Sequence, residues 1–135
     1  YKEALSQHNL TIDNKLIHFT EHQKEDKVDQ IVEELISLDH PPTAIFAARD
    51  SLVVATIKSL KAKGLRIPED MAVVGFSDNA EISHFFNPTL TSVVVPIEEM
   101  GKLAVSRIIE MLQSKEQKEP MQVSLNCRLI FGESC

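Results

Sequence analysis

Two short segments of this chain are apolar on both faces, and they constrain its fold more than any other feature. They are Ala44–Ala48 and Met71–Phe76. Strands of this kind are typical of parallel sheets that helices cover on both sides. Between them, Val53, Ile57 and Leu60 recur at helical spacing. The pattern predicts a strand–helix–strand unit and therefore an α/β fold built on a doubly wound parallel sheet.

Two further amphipathic helices are predicted, one before this unit and one after it, and residues 1–8 are predicted to be the tail of another helix. Apolar residues recur at helical spacing over residues 28–36 and again over residues 97–112. Pro96 stands where proline favours the start of a helix. The helix between the two apolar strands is predicted to be capped by Asp50 or Ser51, whose side chains can accept a hydrogen bond from the first turn.

Three more strands are predicted from short apolar or alternating runs. Leu16, Ile17 and Phe19 form an apolar run that suits a buried strand. Residues 90–95 form another. Over residues 123–131 apolar and mostly polar residues alternate, which is typical of a half-exposed strand.

Composition and charge exclude several classes of function. The 135 residues, 43% hydrophobic and 25% charged, match a soluble globular domain. No apolar run approaches the roughly 20 residues of a membrane span. The net charge of −6 disfavours nucleic-acid binding by this segment, because phosphate contacts need clustered Lys and Arg. Cys127 and Cys135 are too few for a disulfide framework, so we expect reduced thiols in a cytoplasmic protein without membrane contact.

Polar residues follow the predicted strands where each strand ends. Glu21 follows the first strand, Arg49 and Asp50 follow the second, and Ser77 and Asp78 follow the third. In open parallel α/β sheets, ligands bind beyond the carboxyl ends of the strands. The sequence therefore predicts a ligand-binding site formed by these five residues.

Catalytic and metal-binding motifs are missing from the sequence. There is no Gly-rich nucleotide cradle, no nucleophile elbow and no nucleophile–base pair, so we expect no catalytic residue, no cofactor and no enzyme activity. His18 and His22 are separated by a predicted strand end, which argues against a shared metal site. A phosphoacceptor receiver domain would need an acidic pair after an early strand and a Lys after a late one, and the chain has neither.

Five ordered segments resemble the LacI/GalR family of transcriptional regulators. The segments keep their order and spacing across residues 41–112. They are PTAIFAARD at residues 42–50, GLRIPED at 64–70, VVGFSD at 73–78, PTLTSV at 88–93 and MGKLA at 100–104.

The resemblance implies a domain organisation and a function. The family joins an N-terminal helix-turn-helix DNA reader to an effector-binding domain of two α/β lobes, similar to type I periplasmic sugar-binding proteins. Residues 1–95 and 121–135 would then form the C-terminal lobe. Residues 96–120 would pack on an N-terminal lobe outside this chain. A small-molecule effector in the cleft between the lobes would control operator binding by the separate DNA reader.

Two departures from the family pattern bear on the effector. Arg49 replaces an Asn, and Ser77 replaces an Asp, at positions where the family commonly contacts the effector. The Arg fork suits a carboxylate or phosphate, which favours an anionic sugar derivative over a neutral sugar. The alternative is that Arg49 pairs with Asp50, Asp78 or Glu21 and does not contact the ligand.

The resemblance also implies a homodimer. The helix after Asp50 and the segment 79–86, expected to be a short helix or structured loop, would form the interface, with contacts from Val53, Ile82, Phe85 and Phe86. A second hypothesis for the whole protein is a solute-binding component of a sugar transport system. A helix-turn-helix encoded upstream would favour the regulator, and a signal peptide would favour the transport protein.

Overall fold

The computed structural model describes residues 1–20, 26–114 and 121–135, and within them a sheet of four strands forms with helices around it. The α-helices are α1 (Lys2–Gln7), α2 (Asp26–Ile36), α3 (Asp50–Ala62) and α4 (Ile97–Gln113). The strands are β1 (Ala44–Ala47), β2 (Ala72–Ser77), β3 (Thr91–Val94) and β4 (Arg128–Ile130), and 3₁₀ helices span Asn14–Leu16 and Ala80–Phe85.

The order of strands in the sheet is β1-β2-β3-β4. The pairs β1–β2 and β2–β3 are parallel, whereas β4 runs antiparallel to β3. Helices lie between the successive parallel strands, as such connections require. The predicted α/β fold with a mainly parallel sheet is confirmed.

Helices α2 and α3 pack on one face of the sheet and form the hydrophobic core. The stripe predicted for α3 is confirmed, since Val53, Ile57 and Leu60 are all buried. They pack with Val73 of β2 and with Leu90, which precedes β3. The other members of the core are Val28, Val32, Ala47, Ile67 and Met71.

Two predicted strands are corrected by the structure. The run Leu16, Ile17, Phe19 forms no strand, and the Phe19 side chain is 89% exposed. Here the Asp13 carboxylate accepts a hydrogen bond from the Lys15 N–H and starts the 3₁₀ helix. Side-chain bonds of this kind compete with extended backbone.

The strand predicted over residues 123–131 is also shorter than expected, because only Arg128–Ile130 pairs with β3. Its partner β3 has four residues, and Val94 at its end already lies opposite Arg128. Beyond that point the Val95 N–H is bonded to the Ser77 carbonyl of β2, and α4 begins at Ile97, so β3 does not continue alongside residues 123–127. Similarly, β1 is an edge strand of the described sheet rather than a covered central one, and Phe46 is 51% exposed.

The C-terminal residues are held between β2 and β3. Ser134 is fully buried, and its hydroxyl donates to the Val73 carbonyl at 2.6 Å and accepts from the Thr91 N–H at 2.9 Å. The Ser134 carbonyl accepts from the Val73 N–H at 2.8 Å. One serine thereby links two neighbouring strands.

We predict that Ser134→Ala lowers the free energy of unfolding by about 1–3 kcal/mol, because the buried Thr91 N–H and Val73 carbonyl each lose a hydrogen bond. Urea unfolding at neutral pH measures the change. Ser124→Ala, at an exposed position, is the control and should leave stability within about 0.5 kcal/mol of the wild type. Equal stability of the two variants would contradict the role of Ser134.

An ion pair closes the turn that leads into β2. The Arg66 side chain donates to both carboxylate oxygens of Asp70 at 2.7 Å, and the Arg66 N–H donates at 2.9 Å. These bonds lower the pKa of the Asp70 carboxyl to about 2. Since this pKa lies below that of an unfolded Asp, about 3.9, the pair stabilises the fold above pH 4. The contribution is lost as the pH falls through the folded-state pKa.

We therefore expect Asp70→Asn to lower stability at pH 7 and to make little difference at about pH 2, where the native carboxyl is increasingly protonated. Urea midpoints measured between pH 2 and 7 test this dependence. Glu69→Gln, next in sequence and exposed, should show a much smaller effect. A deficit in Asp70→Asn that stays constant with pH would contradict the assignment.

Candidate functional site at the carboxyl edge of the sheet

The parallel strands β1 and β2 end side by side, and the predicted site residues lie at this edge. Arg49 and Asp50 follow β1, Ser77 is the last residue of β2, and Asp78 comes next. The structure brings Asp50 and Ser77 into direct contact, with 3.0 Å between Asp50 Oδ2 and Ser77 Oγ. The fifth predicted residue, Glu21, lies outside the described residues.

Asp50 begins α3 but does not cap it. The N-cap residue is Arg49, and no side chain makes a capping hydrogen bond there, so the predicted cap by Asp50 or Ser51 is wrong. Asp50 lies within the first helical turn, and its carboxylate is turned across to Ser77 instead. The other carboxylate oxygen, Oδ1, is buried and has no hydrogen-bond partner.

Ser77 is only 2% exposed, and its hydroxyl is used within the protein. The hydroxyl lies 3.0 Å from both Asp50 Oδ2 and the Asn79 carbonyl, and it accepts the Asn79 N–H at 3.0 Å. Since the hydroxyl has one proton, it donates to one of the two acceptors at a time. The charged carboxylate is the stronger acceptor.

Asn79 also belongs to this site, although it was not among the five predicted residues. Its side chain accepts a hydrogen bond from the Glu81 N–H at 2.9 Å and starts the 3₁₀ helix Ala80–Phe85. Asn just before a short helix is a recognised turn signal, so the sequence did contain this information. The Asn79 N–H also donates to the Ser77 hydroxyl, and this bond fixes the backbone that follows β2.

Arg49 and Asp78 complete the edge with opposite charges. Arg49 is partly exposed and has extended backbone, and Asp78 is exposed. A guanidinium donates hydrogen bonds and carboxylates accept them, so this edge is suited to a polar or charged small molecule. The ligand-binding roles of Arg49, Asp50, Ser77, Asp78 and Glu21 stay predictions.

The residues predicted for a dimer interface do not share one environment. Val53 is fully buried in the core, because its side chain faces β2, and it is unable to contact a partner. Phe86 packs partly against the core, and Ile82 is partly buried. Phe85 is 85% exposed, and on α3 the neighbouring Val54 is 52% exposed.

Other kinds of site are not formed by the described residues. They contain no cluster of three His, Cys, Asp or Glu side chains placed to hold a metal ion. None of their helices is long and apolar enough to cross a membrane. Two cavities of about 400 and 540 Å³ are mainly apolar, and none of the charged residues of the edge lines them; Phe76 and Met100 line the first, Phe46 and Val74 the second.

A mainly parallel α/β sheet with polar side chains at its carboxyl edge is the architecture of a ligand-binding lobe. Residues 1–135 match the family model of the periplasmic binding protein-like domain. The chain belongs to this family, in the form found in LacI-type transcriptional regulators.

Individual relatives agree with this assignment. A probable HTH-type transcriptional repressor, ExuR of Bacillus subtilis, is 31% identical over 118 residues, which are 87% of this chain and 35% of the relative. A sugar-binding LacI-family regulator from Escherichia coli, solved with phosphate, superposes with a TM-score of 0.82 at 31% identity over 100% of this chain and 47% of that one. A LacI-family regulator from Enterococcus faecium with bound ribose superposes with a TM-score of 0.80 at 29% identity, over 98% of this chain and 48% of that one.

The chain thus spans between a third and a half of the length of these relatives. These relatives are transcriptional regulators. The resemblance to the LacI/GalR family is confirmed.

Proposed function

We propose that this chain is the effector-sensing part of a LacI-type transcriptional regulator. Residues 1–95 and 121–135 form its C-terminal lobe, and residues 96–120 pack on an N-terminal lobe outside this chain. The observation that carries the proposal is the polar edge formed by Arg49, Asp50 and Asp78 in a chain whose relatives are repressors.

The helix α4 supports the proposed division into lobes. It has no buried residue, and many of its apolar side chains are exposed. Large exposed apolar patches mark surfaces that pack against another protein surface. The exposed side chains are Ile97, Met100, Leu103, Val105, Ile108, Ile109, Met111 and Leu112.

The effector binds between the two lobes and acts by selecting one angle between them. A bound molecule shifts the equilibrium between two lobe arrangements only by the difference in its affinity for them. Operator DNA is bound by a helix-turn-helix domain outside these residues, and the protein works in the cytoplasm. A solute-binding protein of a sugar transport system shares the fold, but the relatives are repressors and favour the regulator.

The effector is a sugar derivative that carries an anionic group. Arg49 offers a planar fork of donors at the cleft edge, which matches a carboxylate or phosphate. One related regulator was solved with phosphate and another with ribose, so both chemical features are found among the neighbours. The hydroxyls of such a molecule suit the carboxylates beside Arg49.

In the full-length protein, Arg49→Ala should lower the affinity for an anionic sugar by about ten-fold or more, because charge-assisted hydrogen bonds are lost. Arg49→Lys should restore part of it, since the charge remains without the fork. Calorimetric titration with glucose 6-phosphate, gluconate, glucose and ribose measures the change and tests the preference for anions.

The matched control is Lys27→Ala, which removes one exposed positive charge on α2. It should leave every affinity unchanged. Binding of the neutral sugars alone, or equal affinity in Arg49→Ala and the wild type, would contradict the anionic effector.

We also propose that the regulator is a homodimer formed through α3 and the 3₁₀ helix Ala80–Phe85. Val54 and Phe85 replace Val53 as contacts, since they are the exposed apolar residues of these two elements. Apolar and aromatic side chains are the usual anchors of such interfaces.

Phe85→Asp should therefore weaken dimerisation of the full-length protein at least about ten-fold, because a charge would be buried at the interface. Sedimentation over a concentration series measures the dissociation constant. Phe19→Asp is a matched control, since Phe19 is a Phe of similar exposure, 89%, outside the proposed surface. Dissociation by Phe19→Asp and not by Phe85→Asp would place the interface elsewhere.

A further inference from the structure

One carboxylate oxygen at the carboxyl edge of the sheet is buried without a hydrogen-bond donor. Oδ1 of Asp50 has no partner, although Oδ2 of the same carboxylate accepts from Ser77 at 3.0 Å. Two hydroxyls, those of Thr20 and Ser83, are also buried and unpaired, but they are neutral. A buried charged acceptor that lacks a donor costs more stability than a neutral one, so the position of Asp50 needs an explanation.

Local structure does not supply that explanation. Asp50 is in the first turn of α3, yet Oδ1 of its carboxylate has no partner and Oδ2 is bonded to Ser77. A carboxylate in the first turn does gain from the helix dipole, but an exposed side chain would gain this without losing hydration. The orientation of Asp50 is set by Ser77, which is itself fixed by the Asn79 N–H at 3.0 Å.

Ser77 is badly placed to contact an effector directly. It is 2% exposed, its proton is directed to protein acceptors, and it already accepts one hydrogen bond. Asp50 is partly exposed, and the terminal torsion of an Asp side chain has a broad energy minimum. Small adjustments about this torsion would let a molecule at the edge donate to the oxygen that has no partner while Ser77 keeps the other.

We infer that Asp50 is the effector-contacting acceptor at this edge and that Ser77 is a positioning residue that holds its carboxylate. The inference rests on the proposed effector cleft. Asp50 accepts a hydrogen bond from a hydroxyl or N–H of the effector, and Ser77 acts only through Asp50. Together with Arg49, this arrangement selects a molecule that has an anionic group and a nearby donor, such as a hydroxylated sugar acid or sugar phosphate.

The first experiment needs no effector. Asp50→Asn keeps the shape of the side chain and one acceptor for Ser77, and it removes the unpaired charged oxygen. In the full-length protein its urea midpoint should equal or exceed that of the wild type, because binding residues are often retained at a cost in stability. Asp39→Asn, an exposed position on the loop after α2, is the control. A clearly lower midpoint for Asp50→Asn alone would make Asp50 a structural residue and overturn the inference.

The second experiment measures binding of glucose 6-phosphate and gluconate by calorimetry. Asp50→Asn and Ser77→Ala should each lower affinity by about ten-fold or more. If Ser77 acts through Asp50, Ser77→Ala should change affinity little in the Asp50→Asn background. Unchanged affinity in Asp50→Asn, or two effects that simply add, would overturn the assignment of roles.

The two proposals fail in different ways. If the wild type binds neither probe, the anionic effector class is wrong, and the urea midpoints still decide whether Asp50 is retained for the fold. The other case is that the wild type and Asp50→Asn both bind a probe, whereas Arg49→Ala does not. The effector proposal then stands, and the proposed role of Asp50 is wrong.

Discussion

The close packing of α3 on β2 positions the site. Gly75 lies at the centre of β2, and a Cβ atom there would be 2.9 Å from Leu90 Cδ2 and 3.2 Å from Val53 Cγ2. The absent side chain lets the helix approach the strand closely. Because α3 begins and β2 ends at the same edge of the sheet, this approach brings Asp50 within hydrogen-bond distance of Ser77. The core and the polar edge therefore depend on one helix–strand contact.

The antiparallel strand β4 also constrains the sheet, because it holds the returning chain against β3. The chain leaves the sheet after Val94 and returns at Arg128, and these two residues are paired in the sheet. Ser134 then fixes the end of the chain between β2 and β3. In a two-lobed regulator the outgoing and returning segments would lie side by side. The outgoing segment would continue from β3, and the returning segment would pair with β3.

The differences between the sequence-based predictions and the structure have identifiable causes. Apolar composition alone predicted a strand at residues 16–19, but the Asp13 carboxylate bonds the Lys15 N–H and turns the backbone. The period-2 pattern predicted a strand over residues 123–131, but a strand needs a neighbour, and β3 ends at Val94. For Asp50, helix-start preferences predicted a cap, whereas the residue bonds to Ser77, 27 positions later in the sequence.

The class of fold follows from the sequence alone, because two-sided apolar strands alternating with amphipathic helices are compatible with few other architectures. The gathering of polar residues at one edge follows from the sequence too, since carboxyl ends of parallel strands coincide. What each polar residue does there depends on tertiary contacts. Whether Ser77 faces solvent or the protein, and which oxygen of Asp50 has a partner, depends on the distance and angle between α3 and β2. That geometry is set by packing around Gly75, between residues distant in the sequence, and no local pattern specifies it.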